Sequence, residues 1–318
     1  MTTETALHIP VMLTEVLDGL QVHRGGTYVD GTFGAGGYSR AILEASSDTC
    51  VVAIDRDPEA APRAEDLASR YPGRFLFLPG RFGDMAALLQ QAGVGLVDGI
   101  TLDVGVSSMQ IDTPGRGFSF MREGPLDMRM EKAGLSAADV VNTFEEEDIA
   151  SILYRLGEER QSRRIARAIV RERHNGPLQT TRQLAEIVRS VVHKGKDTID
   201  PATRTFQGLR IFVNDEIGEL RRGLEGAQSI LAPGGRLAVV SFHSLEDREV
   251  KAFLSERSAK SASRLLPGEI PPPPATFVGS GRKAVQCSAA EAQRNPRARS
   301  AKLRVDTRTD SPAQDGAA

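Results

Sequence analysis

Asp30-Gly31-Thr32-Phe33-Gly34-Ala35-Gly36-Gly37 is the stretch on which the fold turns. It follows a short β-branched and aromatic run, residues 27–30 (TYVD), and leads into a segment over 37–45 that reads as a helix. Glycines at a strand–helix turn let the backbone pass close to a ligand, and the helix they open presents its positive end there. Working outward, residues 50–55 (CVVAID) form a continuous apolar run of the buried-strand type, followed by a helix with Pro58 in its first turn. Residues 74–78 (RFLFL) and 97–103 (VDGITLD) read as third and fourth strands. Strands alternating with helices at this spacing predict a parallel, doubly wound α/β sheet.

Beyond residue 105 the alternation stops. Helical periodicity appears over 145–157, with Ile149, Ile152, Leu153 and Leu156 on one face, and again over 159–172 and 181–192. The block 106–205 is expected to be a helical subdomain inserted after the fourth strand. The α/β pattern resumes with a helix over 206–231, an Ala-Pro-Gly-Gly turn at 232–235, a fifth strand over 236–242 and a helix over 245–256. Residues 260–281, with four prolines at 271–274, read as an irregular loop. Residues 302–306 (KLRVD) are expected to add an edge strand, and 307–318 to be a disordered tail. The expected domains are thus 1–105 with 206–306, and 106–205 between them.

Composition excludes more than it assigns. Forty Lys and Arg against 42 Asp and Glu leave a net charge of −2, so contact with nucleic acid must come from local basic patches. The two cysteines, Cys50 and Cys287, lie far apart, which excludes a disulfide framework or a cysteine-built zinc site and suits a reducing cytoplasm. No metal site is expected. The N-terminus lacks the basic start and apolar core of a signal peptide, and no apolar run approaches the roughly 20 residues of a membrane span.

Three motifs carry chemistry. Asp55 ends the second strand 21 residues past Gly34, where a carboxylate reaches the ribose hydroxyls of a bound nucleoside. A tight turn binding nothing is the competing explanation, but turn and spaced acid together favour a nucleoside site. A dinucleotide fold would place a third glycine at position 39, where this chain has serine. Asp30, Gly34 and Gly36 instead match D-x-x-x-G-x-G, which resembles the signature of S-adenosylmethionine methyltransferases, with Asp30 placed to receive the methionine end. Asp55 is expected to serve the cofactor without a part in folding. The second motif, residues 102–108 (LDVGVSS), puts Asp103 at the switch in strand order, facing the reacting centre; a helix N-cap at Ser107 or Ser108 is the alternative. The third, residues 241–248 (SFHSLEDR), contains a capping box, Ser244-x-x-Asp247, and His243 just before it as a candidate proton acceptor.

Two basic elements could hold RNA: the stripe Arg160, Arg164, Arg167, Arg171, and the cluster over 295–304 (NPRARSAKLR). A charge stripe on a helix is more often a solvated face, and Glu158, Glu159 and Glu172 are close enough to pair with it, whereas the C-terminal cluster slightly favours RNA. An oxidoreductase using a nicotinamide dinucleotide would share the sheet and Asp55 but should keep the third glycine. A non-catalytic RNA-binding module would need neither Asp55 nor the LDVGVSS turn.

Taken in order, DGTFGAGG, AIDRDP, LDVGVSS, RGFSFMREGPLDMRM, GEER, RIARAIV, PATRTFQGLRIFVN, LAPGGRLAVVSFHSLEDR and NPRARSAKL resemble the ribosomal RNA small subunit methyltransferase H (MraW) family over residues 7–305. The resemblance implies a class I S-adenosylmethionine-dependent, Rossmann-like fold with an inserted helical domain. It also implies methylation of the exocyclic N4 of one cytidine in the decoding region of 16S rRNA, within the small ribosomal subunit. Carried over by motif, cofactor contacts fall on Gly36, Gly37, Tyr38, Asp55, Phe82, Asp103 and Gln110, with Phe82 against the adenine. Tyr38 stands where histidine is usual, and Met109 where proline is common. Asp103 and His243 are then the candidate catalytic residues, Phe118 and Phe120 candidates to stack on the target base, and a homodimer is open to the chain.

Overall fold

The computed structural model describes residues 10–192, 199–258, 274–279 and 283–313. Their contacts divide into two compact units, Met1–Gly105 with Ile217–Ala318, and Val106–Glu216.

The first unit is a sheet between two layers of helices. Its early part runs α1 (Leu13–Leu20), β1 (Gly26–Asp30), α2 (Gly37–Ala45), β2 (Thr49–Asp55), α3 (Ala61–Arg70), β3 (Phe75–Pro79), α4 (Met85–Gln91) and β4 (Val97–Asp103). After the second unit, with α5 (Ser108–Asp112), α6 (Ala137–Thr143), α7 (Glu146–Arg155), α8 (Ser162–Arg173), α9 (Thr181–Val191) and α10 (Ala202–Asn214), come α11 (Glu216–Ile230), β5 (Leu231–Ser241) and α12 (Ser244–Arg257). The sheet is completed by β6 (Phe277–Gly279), β7 (Val285–Gln286) and, after α13 (Ala289–Arg294), β8 (Lys302–Arg308). Strand order is β3-β2-β1-β4-β5-β8-β6, with β7 also on β8. β1 to β5 are parallel, whereas β8 runs antiparallel to β5, β6 and β7. The order reverses between β1 and β4, and that switch point is where such sheets leave a crevice.

Alternation along the buried strands feeds two cores. Val51 and Ala53 of β2 and Ala238 and Val240 of β5 pack with Ile42 of α2 and Leu67 of α3. Val52 and Ile54, with Leu237 and Val239, face Leu89 of α4, Leu224 of α11 and Leu254 of α12. Such strands, buried on both faces, read as unbroken apolar runs because both side-chain rows need apolar partners. The second unit has its own core, in which Ile149, Leu153, Ile165, Ile169, Leu184 and Leu209 are buried.

Several expectations need correction. The helix expected over 206–231 is two helices broken at Asp215, which adopts a left-handed conformation (φ 49°). Asp tolerates that conformation better than most residues. The first half, α10, packs on α6, α7 and α9, so it belongs with the helical unit. Residues 232–235 are not a turn before β5 but a bulge within it, since Leu231 pairs with Val97 and Arg236 with Gly99. Part of the expected loop, Phe277–Gly279, is a strand on β8; residues 259–273 and 280–282 lie outside the described residues. The expected tail begins inside β8, which runs to Arg308, and Thr309 N–H donates to the Thr276 carbonyl at 2.9 Å. Among the described residues no helix is long and apolar enough to cross a membrane.

Candidate active site

The turn from β1 to α2 is built around Asp30. Its buried carboxylate accepts from Thr32 N at 3.2 Å, Ser39 N at 3.1 Å and Ser39 Oγ at 2.7 Å. Burial lifts its pKa to about 6, partly countered by the Ser39 and Thr32 hydrogen bonds. The acid expected to receive the methionine end is therefore turned inward, as the scaffold of its own loop. Ser39, which breaks the dinucleotide pattern, is the residue that holds it. Gly36 caps α2 at φ 76°, and a Cβ there would lie 2.9 Å from the Phe33 ring. At Gly37 a Cβ would come within 2.3 Å of Pro10. The backbone is thus held close, with the first-turn amides of α2 free of partners inside the helix.

Asp55 closes the turn from the next strand. Its Oδ2 accepts from Gly34 N at 2.6 Å and its Oδ1 from Asp57 N at 2.8 Å. Burial raises its pKa even against these two bonds. Asp55 is accordingly part of the loop's structure, contrary to the expectation that it has no role in folding. Each oxygen keeps a lone pair for a hydroxyl donor. Arg63 Nε donates to the Gly34 carbonyl at 3.0 Å, fixing the other side of the same glycine. Phe82 follows β3, and its ring packs on Gly223 of α11, where a Cβ would lie 2.5 Å from Phe82 Cδ2.

Asp103 ends β4, one strand from Asp30. Its N–H donates to Thr32 Oγ1 at 2.7 Å, tying the strand end to the glycine turn. Its Oδ1 is buried with no hydrogen-bond partner among the described residues. Burial, then the neighbouring charges of Asp30 and Glu246, push its pKa to about 8. A buried orphan oxygen is costly unless a ligand satisfies it. Tyr38 sits beside this group, but its ring is buried in the core and its hydroxyl donates to the Val11 carbonyl.

His243 is not beside the cap of α12; it is the cap. Its Nδ1 accepts from Glu246 N at 3.4 Å, while Glu246 Oε2 accepts from His243 N at 3.2 Å and Phe242 N at 2.8 Å. The capping box thus begins one residue before the expected Ser244. His243 Nε2 lies 2.9 Å from Glu246 Oε1, so both ring nitrogens are directed at the same buried glutamate. The nitrogen a general base would use is already accepting a helix amide. His243→Ala is expected to destabilise the fold by the worth of a cap, about 0.5–2 kcal/mol, and so to melt earlier, with turnover near wild type. A 10²–10⁴-fold fall in turnover with unchanged melting would return the histidine to proton transfer.

In the second unit, Gln110 lies in another capping box: Ser107 Oγ accepts from Gln110 N at 3.2 Å and Gln110 Oε1 from Ser107 N at 3.0 Å. Phe118 and Phe120 pack within that unit's core, Phe120 edge-on to Phe206 at 4.9 Å. The core explanation of these aromatics is the one the structure supports.

Gly36, Gly37, Asp55 and Asp103 therefore meet at the carboxyl ends of β1, β2 and β4, linked through Gly34 and Thr32. A family model described as the MraW methylase family matches residues 5–309. The chain belongs to the MraW methylase family. MraW relatives resemble it over nearly full length. Ribosomal RNA small subunit methyltransferase H of Paramagnetospirillum magneticum is 59% identical, covering 96% of this chain and 97% of that protein. The same enzyme of Rhodospirillum centenum is 58% identical, covering 97% of this chain and 94% of that protein. Among solved structures the MraW chain is similar to the N-methyltransferase NodS of Bradyrhizobium japonicum, at 12% identity and a TM-score of 0.41, covering 94% of each chain.

Thr32, Ser39, Arg63 and Glu246 organise this MraW site and were missed from sequence. Thr32 and Ser39 stand within or just past the quoted glycine turn, and their spacing from Asp30 is the signal that could have found them.

Proposed function

We propose that this MraW protein transfers the methyl group of S-adenosylmethionine to the exocyclic N4 of one cytidine in the decoding region of 16S rRNA. The observation that carries the reading is the buried, partnerless Oδ1 of Asp103 at the end of β4. The donor set fits the cofactor: the closely held backbone at Gly36 and Gly37 for its methionine end, and Asp55 for its ribose hydroxyls. Phe82 supplies apolar surface for the adenine. When bound, the cofactor supplies an electrophilic methyl group on a sulfonium.

The chain's own part is to make a poor nucleophile attack. The cytosine amine has its lone pair delocalised into the ring, so it must be held in line and must lose a proton. Asp103 accepts a hydrogen bond from that amine, favouring its pyramidal form, and takes the proton released on transfer. His243, held on Glu246, shapes the wall through its helix cap. The target base must leave its stack to reach such a site. The test is methylation of small subunits that lack the modification, followed by digestion to nucleosides. N4-methylcytidine is the expected product; methyl label on any other nucleoside, or none, would overturn the reading.

Of the expected arginine stripe, Arg164, Arg167 and Arg171 lie on α8, whereas Arg160 precedes its start at Ser162. Arg167 is 75% exposed and 3.6 Å from Glu146, while Arg171 pairs with Glu172 at 3.0 Å. Replacing Arg164 and Arg167 by Gln is expected to weaken subunit binding and flatten its salt dependence, since fewer counterions are displaced. An unchanged salt slope assigns the stripe to solvent.

A further inference from the structure

A second feature opens on the same side of the sheet. A cleft of about 320 Å³ lies between the start of α12 and the segment 286–302, lined by Phe242, His243, Gln286, Arg299, Ser300 and Lys302 among others. Among the described residues no carboxylate lines it. The geometry points to a site for a backbone phosphate of the RNA strand that carries the target base, a role that rests on the RNA reading above.

The wall is built rather than incidental. Asn295 Oδ1 accepts from Arg297 N at 3.2 Å and caps a short helical turn over Pro296–Ser300. Ala298 and Ala301 are buried and pin that turn to the core, which leaves Arg299 pointing outward. Arg299 makes no hydrogen bond or ion pair among the described residues, so its five donors are available. The rest of the basic run divides by role. Arg304 is buried on Asp247 at 2.8 Å and Lys302 reaches the same carboxylate at 3.0 Å. Burial opposes ionisation of Asp247, but the bonds from Lys302 and Arg304 outweigh it and hold the carboxyl below its ordinary range. Two cations sharing one anion leave a positive surplus. Lys302, whose side chain is 38% exposed, carries it to the cleft.

Position gives the cleft its relation to the reaction. Asp103 is level with Val240 in the β4–β5 ladder, so Phe242 lies two residues further along. At about 3.3 Å per residue that is a short step beyond the acid. A strand whose base is splayed into the site would lay a neighbouring phosphate within reach of this wall. Phosphate, with oxygens to accept from a planar guanidinium and an ammonium together, matches the pair Arg299 and Lys302.

The probe is a protein-free 16S rRNA fragment containing the target cytidine, with intact small subunits in parallel. Arg299→Gln is expected to weaken binding of both several-fold and to reduce the slope of log affinity against log salt by about one. Arg299→Lys should retain most of the affinity, and cofactor affinity should not change in any variant. Unchanged affinity and slope would overturn the site. So would weakened binding to subunits alone, which would place a ribosomal protein in the cleft. The functional reading is judged separately: wild-type enzyme that forms no N4-methylcytidine removes that reading, whereas an inert Arg299 removes only the cleft.

Discussion

Asp103→Asn is expected to lower methyl transfer about 10²–10⁴-fold, the usual worth of a positioned proton acceptor, and at the same time to raise the melting temperature near neutral pH. Both effects come from one buried oxygen. The amide keeps the shape and one acceptor but cannot take a proton. The sign of the stability change follows from linkage. The folded pKa of about 8 lies above the ordinary 3.8, so between those values the native state binds the extra proton and stability falls as pH rises. Below about pH 4 the penalty is absent; above about 8 it is complete. An uncharged amide escapes it, so the variant gains most at alkaline pH. The rate should show the opposite trend. With free enzyme, kcat/KM should rise as Asp103 ionises toward pH 8, and the kcat profile should rise at lower pH, because a nearby sulfonium favours the charged carboxylate. Turnover within a few-fold of wild type, or a melting temperature that falls, would remove Asp103 from this role.

Asp55→Ala is expected to weaken S-adenosylmethionine binding by about 1.5–3 kcal/mol, the range for hydrogen bonds to a charged group. That corresponds to roughly 10–150-fold in Kd by titration calorimetry. The same substitution releases the amides of Gly34 and Asp57, so the protein should also melt earlier. Asp55→Asn separates the two roles. It retains an oxygen for one loop amide and should recover part of the stability, but it loses the charge and one acceptor facing the ribose. Unchanged cofactor affinity in both variants would dismiss Asp55 as a ligand and leave it a loop brace.

The parallel strands were legible because burial on both faces demands continuous apolar runs, and residues 50–55 and 97–103 have nothing else to be. Helix α2 was legible down to its ends, since Gly36 and Gly37 mark where it starts. The break at Asp215 was not, because apolar periodicity continues across it and only one backbone angle changes. Strand β6 was hidden for a different reason. Three residues carry too little pattern, and their pairing partner lies close to the C-terminal end. At the site, the glycine turn and the acids at positions 55 and 103 could be placed from spacing alone. What spacing cannot give is the direction of a side chain. Asp30 faces Ser39 instead of a ligand, and Tyr38 faces Val11. The cap of α12 was displaced by one residue because His243-x-x-Glu246 and Ser244-x-x-Asp247 overlap, and only the buried Glu246 decides between them.

The place of β8 in the sheet sets a constraint on how the molecule is made. It pairs with β5 on one side and with β6 and β7 on the other, yet it follows all three in the chain. A chain growing from its N-terminus holds β1 to β4 and the whole helical unit while the exposed edge of β5 still lacks its neighbour. Such an edge is a template for mispairing. The α/β unit is therefore completed only once β8 has been made. A premature stop just before Lys302 would remove one strand by sequence and strand the two that depend on it. A chain that stops short of β8 cannot close its own sheet.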